Sequence, residues 1–190
     1  PPYLDLPRAS LAYQAALADS RPFSRWAARN VAAHKRTGYA IVTLSLKKTG
    51  VPPGDLTADQ MDAVAGLADR YSSGELRVTH EQNLVLADVL QSDLHALWTA
   101  LKGLGLATPN IGTLTDMICC PGLDFCSLAN AGSIGIAKQI TDRFSDFDYL
   151  YDLGHIEIKM SGCMNACGHH HVGHIGILGV DKHNEEWYQI

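Results

Sequence analysis

Two rhythms of apolar and polar residues run through this chain. Over Tyr39–Leu46 the run Tyr-Ala-Ile-Val-Thr-Leu-Ser-Leu is β-branched and alternates toward its end, which predicts a strand. From Thr57 the rhythm changes to a helical one. Thr57-Ala-Asp-Gln60 reads as a capping box, and Met61, Val64, Ala65 and Ala68 recur on one helical face up to about Tyr71. Ser72-Ser-Gly74 supplies the stop. Glu75–Thr79 and Leu84–Val89 then read as two strands. Ser92 is positioned to cap a helix to about Lys102 that turns Leu94, Leu97, Trp98 and Leu101 inward. Strand, helix, strand, strand, helix predicts half of an α+β sandwich, with helices on one face of an antiparallel or mixed sheet.

The flanks are less regular. Leu11–Ala18 and Phe23–His34 are expected to be helical, and Lys47–Gly54, with Gly50, Pro52 and Pro53, to be a turn region. After a link over 104–110, Ser127–Phe144 is expected to be largely helical, weakened by Gly132 and Gly135. Ile156–Met160 and His174–Val180 read as strands. The expected division is a helical or linker segment over 1–30, one domain over 31–108 and a second over 109–190. The chain opens on Pro-Pro-Tyr without a methionine and ends on a strand-like Glu-Glu-Trp-Tyr-Gln-Ile, so a piece of a longer protein is expected.

Composition narrows the function classes. Apolar residues at 46% and charged ones at 18% support packed cores rather than a disordered tail. A net charge of −5 argues against a duplex nucleic-acid binder. No apolar run reaches the length of a membrane span, and no signal-peptide pattern opens the chain. The five cysteines are odd in number and clustered, which fits a reducing compartment, the cytoplasm, and metal ligation better than a secreted disulfide framework.

The cysteines carry the chemistry. Cys120-Pro-Gly-Leu-Asp-Phe-Cys126 and Gly162-Cys-Met-Asn-Ala-Cys-Gly168 place a C-x5-C group and a C-x3-C group in the C-terminal half. Four thiolates are soft ligands that suit a [4Fe–4S] cluster or a structural zinc. The x5 spacing lies outside the usual zinc range and suits the larger cube of a cluster. Cys126 is expected where the next helix begins, so that N-terminal N–H groups face an anionic centre. Gly162 and Gly168 would let backbone approach a bulky inorganic core. On spacing alone cluster, zinc and plain buried cysteines all stay open, with the cluster favoured.

These two motifs resemble those of the sirohaem-dependent sulfite and nitrite reductases. The resemblance extends upstream to Arg77-Val-Thr-His-Glu-Gln-Asn83, similar to the Arg-x-Thr-x-x-Gln segment of that family's ferredoxin-like half-domain. It extends downstream to His169-His-His-Val-Gly-His-Ile-Gly-Ile-Leu-Gly179, and covers about residues 30–190. It implies an α+β fold, a ferredoxin-like half-domain followed by an α/β domain that binds [4Fe–4S] and sirohaem. By resemblance Cys120, Cys126, Cys163 and Cys167 bind the cluster, and Cys167 also bridges to the sirohaem iron at the catalytic centre. The implied function is part of a sulfite reductase haemoprotein taking sulfite to sulfide. Nitrite reduction to ammonia, or a non-catalytic zinc or structural cysteine module, are the alternatives. A small anion substrate and an electron donor, a flavoprotein or a ferredoxin, are the implied partners, with no nucleic acid and no membrane.

Two departures matter. Met164 stands where many members have proline, which alters loop stiffness rather than ligation. The family pattern also carries two Arg-x-Thr-x-x-Gln segments and this chain carries one, so these residues alone are expected to be inactive. Arg77 facing a sirohaem carboxylate and Asn165 hydrogen-bonding the macrocycle are the further cofactor-binding candidates, each weighed against a plain surface or turn role. Cys119 reads as a buried apolar residue. His169, His170, His171 and His174 read as structural or exposed, or as proton donors near the cofactor, and Lys138 and Lys159 as possible anion contacts.

Overall fold

A computed structural model describes residues 3–7 and 10–190; the prolines that open the sequence lie outside them. The chain forms two compact units. One comprises Leu56–Ile111 together with the chain up to Leu46, and the other Lys47–Asp55 with Gly112–Ile190. The expected turn at 47–54 thus belongs with the second unit, and the N-terminal helices belong to the first rather than forming a segment apart.

The first unit is a four-stranded antiparallel sheet carrying helices. Ser10 and Ser20 cap α1 (Leu11–Asp19) and α2 (Arg21–Asn30) through their hydroxyls. The helix expected over Phe23–His34 stops early. Asn30 is its last residue, and Val31–Ala33 forms β1, paired antiparallel with β2 (Tyr39–Leu44). β-branched Val31 favours the extended state, and the ladder to β2 satisfies backbone groups that a longer helix would have used itself. The capping box of α3 (Ala58–Tyr71) forms as read, with both the Thr57 and Gln60 side chains engaged. Its buried face differs from the expected one. Val64 and Ala68 are buried with Leu67 and Tyr71 against them, while Met61 and Ala65 face out.

The strand expected over Glu75–Thr79 reduces to β3 (Arg77–Val78), paired with β4 (Leu84–Leu90). The sheet order is β1-β2-β4-β3. Ser92 caps nothing. It lies in a 3-10 turn, where its hydroxyl meets Asp93, and α4 (Leu94–Leu104) follows with Leu94, Leu97, Trp98 and Leu101 all buried as read. Phe23, Trp26, Trp98 and the alternating β2 residues Ala40, Val42 and Leu44 share this unit's core.

The second unit is a mixed sheet in the order β5-β6-β7-β8. β5 (Ile118–Cys119), β6 (Ile158–Ser161) and β7 (Ile175–Lys182) run parallel, and β8 (Glu185–Gln189) returns antiparallel on β7 as a hairpin. The expected helix over Ser127–Phe144 begins only at Ile134 (α5, Ile134–Arg143), and α6 (Phe147–Leu153) follows. The lost turns have a physical reason. The Asn130 and Ala131 amides both donate to the Gly162 carbonyl, at 2.8 and 3.0 Å, and Gly122 and Gly132 form an antiparallel bridge. Those long-range bonds draw 127–133 out of the helix, so Cys126 does not stand at a helix N-terminus. Met117, Cys119, Ala137, Leu150, Ile158, Met160 and Ile177 form this unit's core.

Candidate metal centre

The two cysteine loops leave the sheet side by side. Cys120 directly follows β5 and Cys163 lies two residues past the end of β6, and these strands are parallel neighbours, with Cys119 opposite Met160. The Cys120 amide donates to the Met160 carbonyl at 3.0 Å, which continues the ladder one residue past β5. Both loops therefore lie beyond the carboxyl ends of parallel strands, the edge of an open α/β sheet that takes ligands because connections diverge there.

Within the first loop the Gly122 amide donates to Cys120 Sγ at 3.3 Å, and the Cys126 amide to the Gly122 carbonyl at 2.9 Å. Gly122 has φ +61°. A Cβ there would lie 2.5 Å from the Ala131 carbonyl oxygen, so chirality and space both require glycine. In the second loop the Ala166 amide donates to the Cys163 carbonyl at 3.2 Å, and Ala166 itself sits at φ +56°. The left-handed residue folds the three-residue spacer back on itself. The Gly168 amide then donates to Ser161 Oγ at 3.0 Å, and a side chain at Gly168 would collide with the Met160 carbonyl. The loops touch at their glycines, since a Cβ on Gly162 would lie 2.7 Å from Gly122 Cα.

Burial grades the thiols. Cys120 and Cys163 are buried, Cys126 is half-buried and Cys167 is exposed. Among the described residues no group of three or more His, Cys, Asp and Glu side chains stands in position to hold a metal ion. The fit to a cluster rests on other features. The candidate donors are four thiols, a set that would match iron–sulfur. Gly122 and Gly162 make a close-packed floor at which Ser133 Oγ is buried without a hydrogen-bond partner. That hydroxyl suits a sulfur acceptor, because a buried donor left unpaired is costly. Residue types and backbone placement thus fit a thiolate-held cluster.

The neighbouring residues divide. The Cys119 thiol is pushed up to about 12, by burial first and then by Cys120, with Lys47 opposing. It stays protonated, donates to the Cys120 carbonyl at 3.3 Å and packs in the core, as an inert buried cysteine does. Asn165 is exposed between Cys163 and Cys167. His170 Nδ1 is buried without a hydrogen-bond partner, whereas His169 and His171 are exposed. His174 Nδ1 accepts the Glu157 amide at 3.1 Å, which assigns its proton to Nε2. Lys159 is paired with Glu157 at 3.1 Å. Arg77 belongs to the first unit, exposed on β3, with its guanidinium on the Glu75 carboxylate at 2.6 Å. Any cofactor carboxylate at Arg77 competes with that partner.

Sequence reasoning missed a buried ion pair and a clamp. Lys47, read as part of a turn, is fully buried with its ammonium 3.2 Å from Asp116, and Asp116 also accepts the Gly112 amide at 3.0 Å. Nothing local marks either residue. The clamp joins Glu186 and Tyr188 of β8 to Gly132 and is visible only once the hairpin is placed.

Residues 36–104 match the family described as the nitrite/sulfite reductase ferredoxin-like half domain. The chain is 35% identical over 155 residues to the chloroplastic ferredoxin–nitrite reductase of Arabidopsis thaliana, covering 80% of this chain and 25% of that protein. It is 30% identical over 140 residues to sulfite reductase [ferredoxin] 2 of Mycolicibacterium paratuberculosis, covering 70% of this chain and 25% of that one. The solved structure of the Mycobacterium tuberculosis NirA protein superposes with a TM-score of 0.66 at 25% identity, over 84% of this chain and 29% of that one. The chain spans about a quarter of the length of the curated relatives it matches. With both cysteine motifs at the ends of neighbouring parallel strands and a ferredoxin-like half-domain before them, the chain belongs to the sirohaem-dependent sulfite and nitrite reductase family.

Proposed function

We propose that this chain is the part of a sulfite reductase haemoprotein that anchors a [4Fe–4S] cluster coupled to sirohaem. The observation that carries the reading is the meeting of the Cys120–Cys126 and Cys163–Cys167 loops past β5 and β6 on a floor of glycines. Cys120, Cys126, Cys163 and Cys167 would hold the cluster, with Cys167, the most exposed, shared with the sirohaem iron. When bound, the two groups supply the multi-electron redox chemistry that takes sulfite to sulfide.

The residues of this chain bind and orient. Gly122 and Gly168 admit backbone where a side chain would block the approach. The Gly122 amide directs a hydrogen bond at Cys120 sulfur, and Ser133 offers a second donor in the same cradle. Asn165 lies in the Cys163–Cys167 loop and His170 just after it, and each would be a candidate to hydrogen-bond the macrocycle. To serve a sirohaem carboxylate, Arg77 would first have to release Glu75. Ferredoxin is the proposed donor, following the names of the relatives, and the clustered thiols support a reducing compartment, with the cytoplasm as the proposed location. Among the described residues no helix is long and apolar enough to cross a membrane.

Nitrite is the second reading, favoured because relatives from Arabidopsis thaliana and Synechococcus elongatus are named ferredoxin–nitrite reductases. The test uses the full-length protein. Iron, acid-labile sulfide and a haem-type visible spectrum are expected, each lost on Cys163→Ser, and rates with sulfite and with nitrite from reduced ferredoxin rank the two anions. Zinc with no acid-labile sulfide would replace this reading with the structural module.

A further inference from the structure

The loop that carries Cys126 is closed by side chains from the far end of the chain. The Gly132 amide donates to Glu186 Oε2 at 2.7 Å, and the Gly132 carbonyl accepts the Tyr188 hydroxyl at 2.6 Å. Tyr188 Oη also lies 3.2 Å from the same Glu186 oxygen, so carboxylate, phenol and peptide form one closed set. Both side chains project from β8, whose register on β7 sets Tyr188 opposite Gly179 and Glu186 opposite Asp181. Gly132 in turn bridges Gly122, the Leu123 amide donates to the Ala131 carbonyl at 3.1 Å, and Cys126 hangs between by its bond to Gly122. Asn130 and Ala131 are tied to the Gly162 carbonyl, one residue before Cys163.

We propose that Glu186 and Tyr188 are positioning residues for the metal centre: by gripping both the N–H and the carbonyl of Gly132 they fix the Cys126 loop against the strand end that carries Cys163. The inference rests on the reading of Cys126 as a cluster ligand but concerns the loop itself. Between its bridged ends at Gly122 and Gly132 the loop contains no helix or strand residue, so without the clamp its base is held by backbone bonds alone. The grip is directional. Glutamine at 186 keeps an acceptor for the Gly132 amide, alanine does not, and phenylalanine at 188 keeps the ring but loses the donor.

Hydrogen exchange on the full-length protein, followed by mass spectrometry of the peptide spanning 122–133, tests it. Glu186→Ala and Tyr188→Phe are expected to speed exchange in that peptide roughly tenfold, the factor of about one lost hydrogen bond. Glu186→Gln is expected to restore the slow rate, with the β6 peptide unchanged in all three. Iron retention under a chelator is followed in parallel, and faster loss is expected in the two disruptive variants only. Unchanged exchange in a Glu186→Ala, Tyr188→Phe double variant overturns the clamp, as does equal acceleration across the whole second sheet. Altered exchange with unaltered iron retention overturns the positioning role. Wild-type protein without iron sinks the cluster reading instead, and exchange still decides the clamp.

Discussion

Single side chains in this protein are decided by their partners more than by their type. Lys47 would be an ordinary surface residue by composition, yet it is fully buried against Asp116. A buried ammonium left alone in a low-dielectric interior is expensive, so the pair is asymmetric: deleting one partner costs far more than replacing both. Asp116→Ala should lower stability in urea unfolding by roughly 3–5 kcal/mol, and a Lys47→Met, Asp116→Leu double substitution by much less. Glu157 is set by the Lys159 ammonium first and by His155 second, which hold its carboxyl below the ordinary value of 4.5. A lowered folded value means the folded state binds the proton less readily than the unfolded chain. That stabilisation is present above pH 4.5 and is lost as pH falls through the lowered value. Lys159→Met should raise the Glu157 titration midpoint in a carboxyl-resolved NMR titration and shrink the acid-side loss of stability. A midpoint unmoved by Lys159→Met would show that the pair does not set it.

The elements show where local preference is overridden. The capping box of α3 and the apolar face of α4 were legible because each is a statement about residues three or four apart. The late start of α5 at Ile134 was not, because what keeps 127–133 out of the helix is the Gly162 carbonyl about thirty residues away, with Glu186 and Tyr188 further still. Cys126 consequently sits in a loop, and its environment comes from tertiary hydrogen bonds rather than a helix dipole. The second cysteine loop depends on close approach. A methyl group at Gly168 would drive into the Met160 carbonyl, the residue whose carbonyl also receives the Cys120 amide. Gly168→Ala should therefore reduce stability by about 3 kcal/mol or more in denaturant unfolding and abolish iron incorporation on reconstitution. Normal iron content in that variant would contradict the tight-floor account of the site.

At the scale of the whole molecule, two cores organise the chain, one under the antiparallel sheet of the first unit and one under the mixed sheet of the second. Each is built from its own helices and strands, as two-layer packing requires. The chain covers about a quarter of its curated relatives and carries one Arg-x-Thr-x-x-Gln segment. The isolated 190 residues are therefore expected to show no turnover of sulfite or nitrite with reduced donor, whereas the proposed function expects the full-length protein to turn over at least one of them. Measurable reduction by the isolated chain, in an assay that resolves product sulfide or ammonia, would show that the site needs nothing beyond these residues.

The sequence by itself determined the order of most elements and the α+β class, and it supplied the four thiols as candidate ligands, because spacing and periodicity are local properties written directly in residue order. It also carried the family, through two short motifs whose cysteines and glycines have few substitutes. Only the tertiary structure decided that Val31 begins a strand, that Lys47 is buried, that α5 starts at Ile134 and that β8 grips Gly132. Each of these depends on a partner distant in sequence, and a contact between distant residues leaves no periodic trace in either of them.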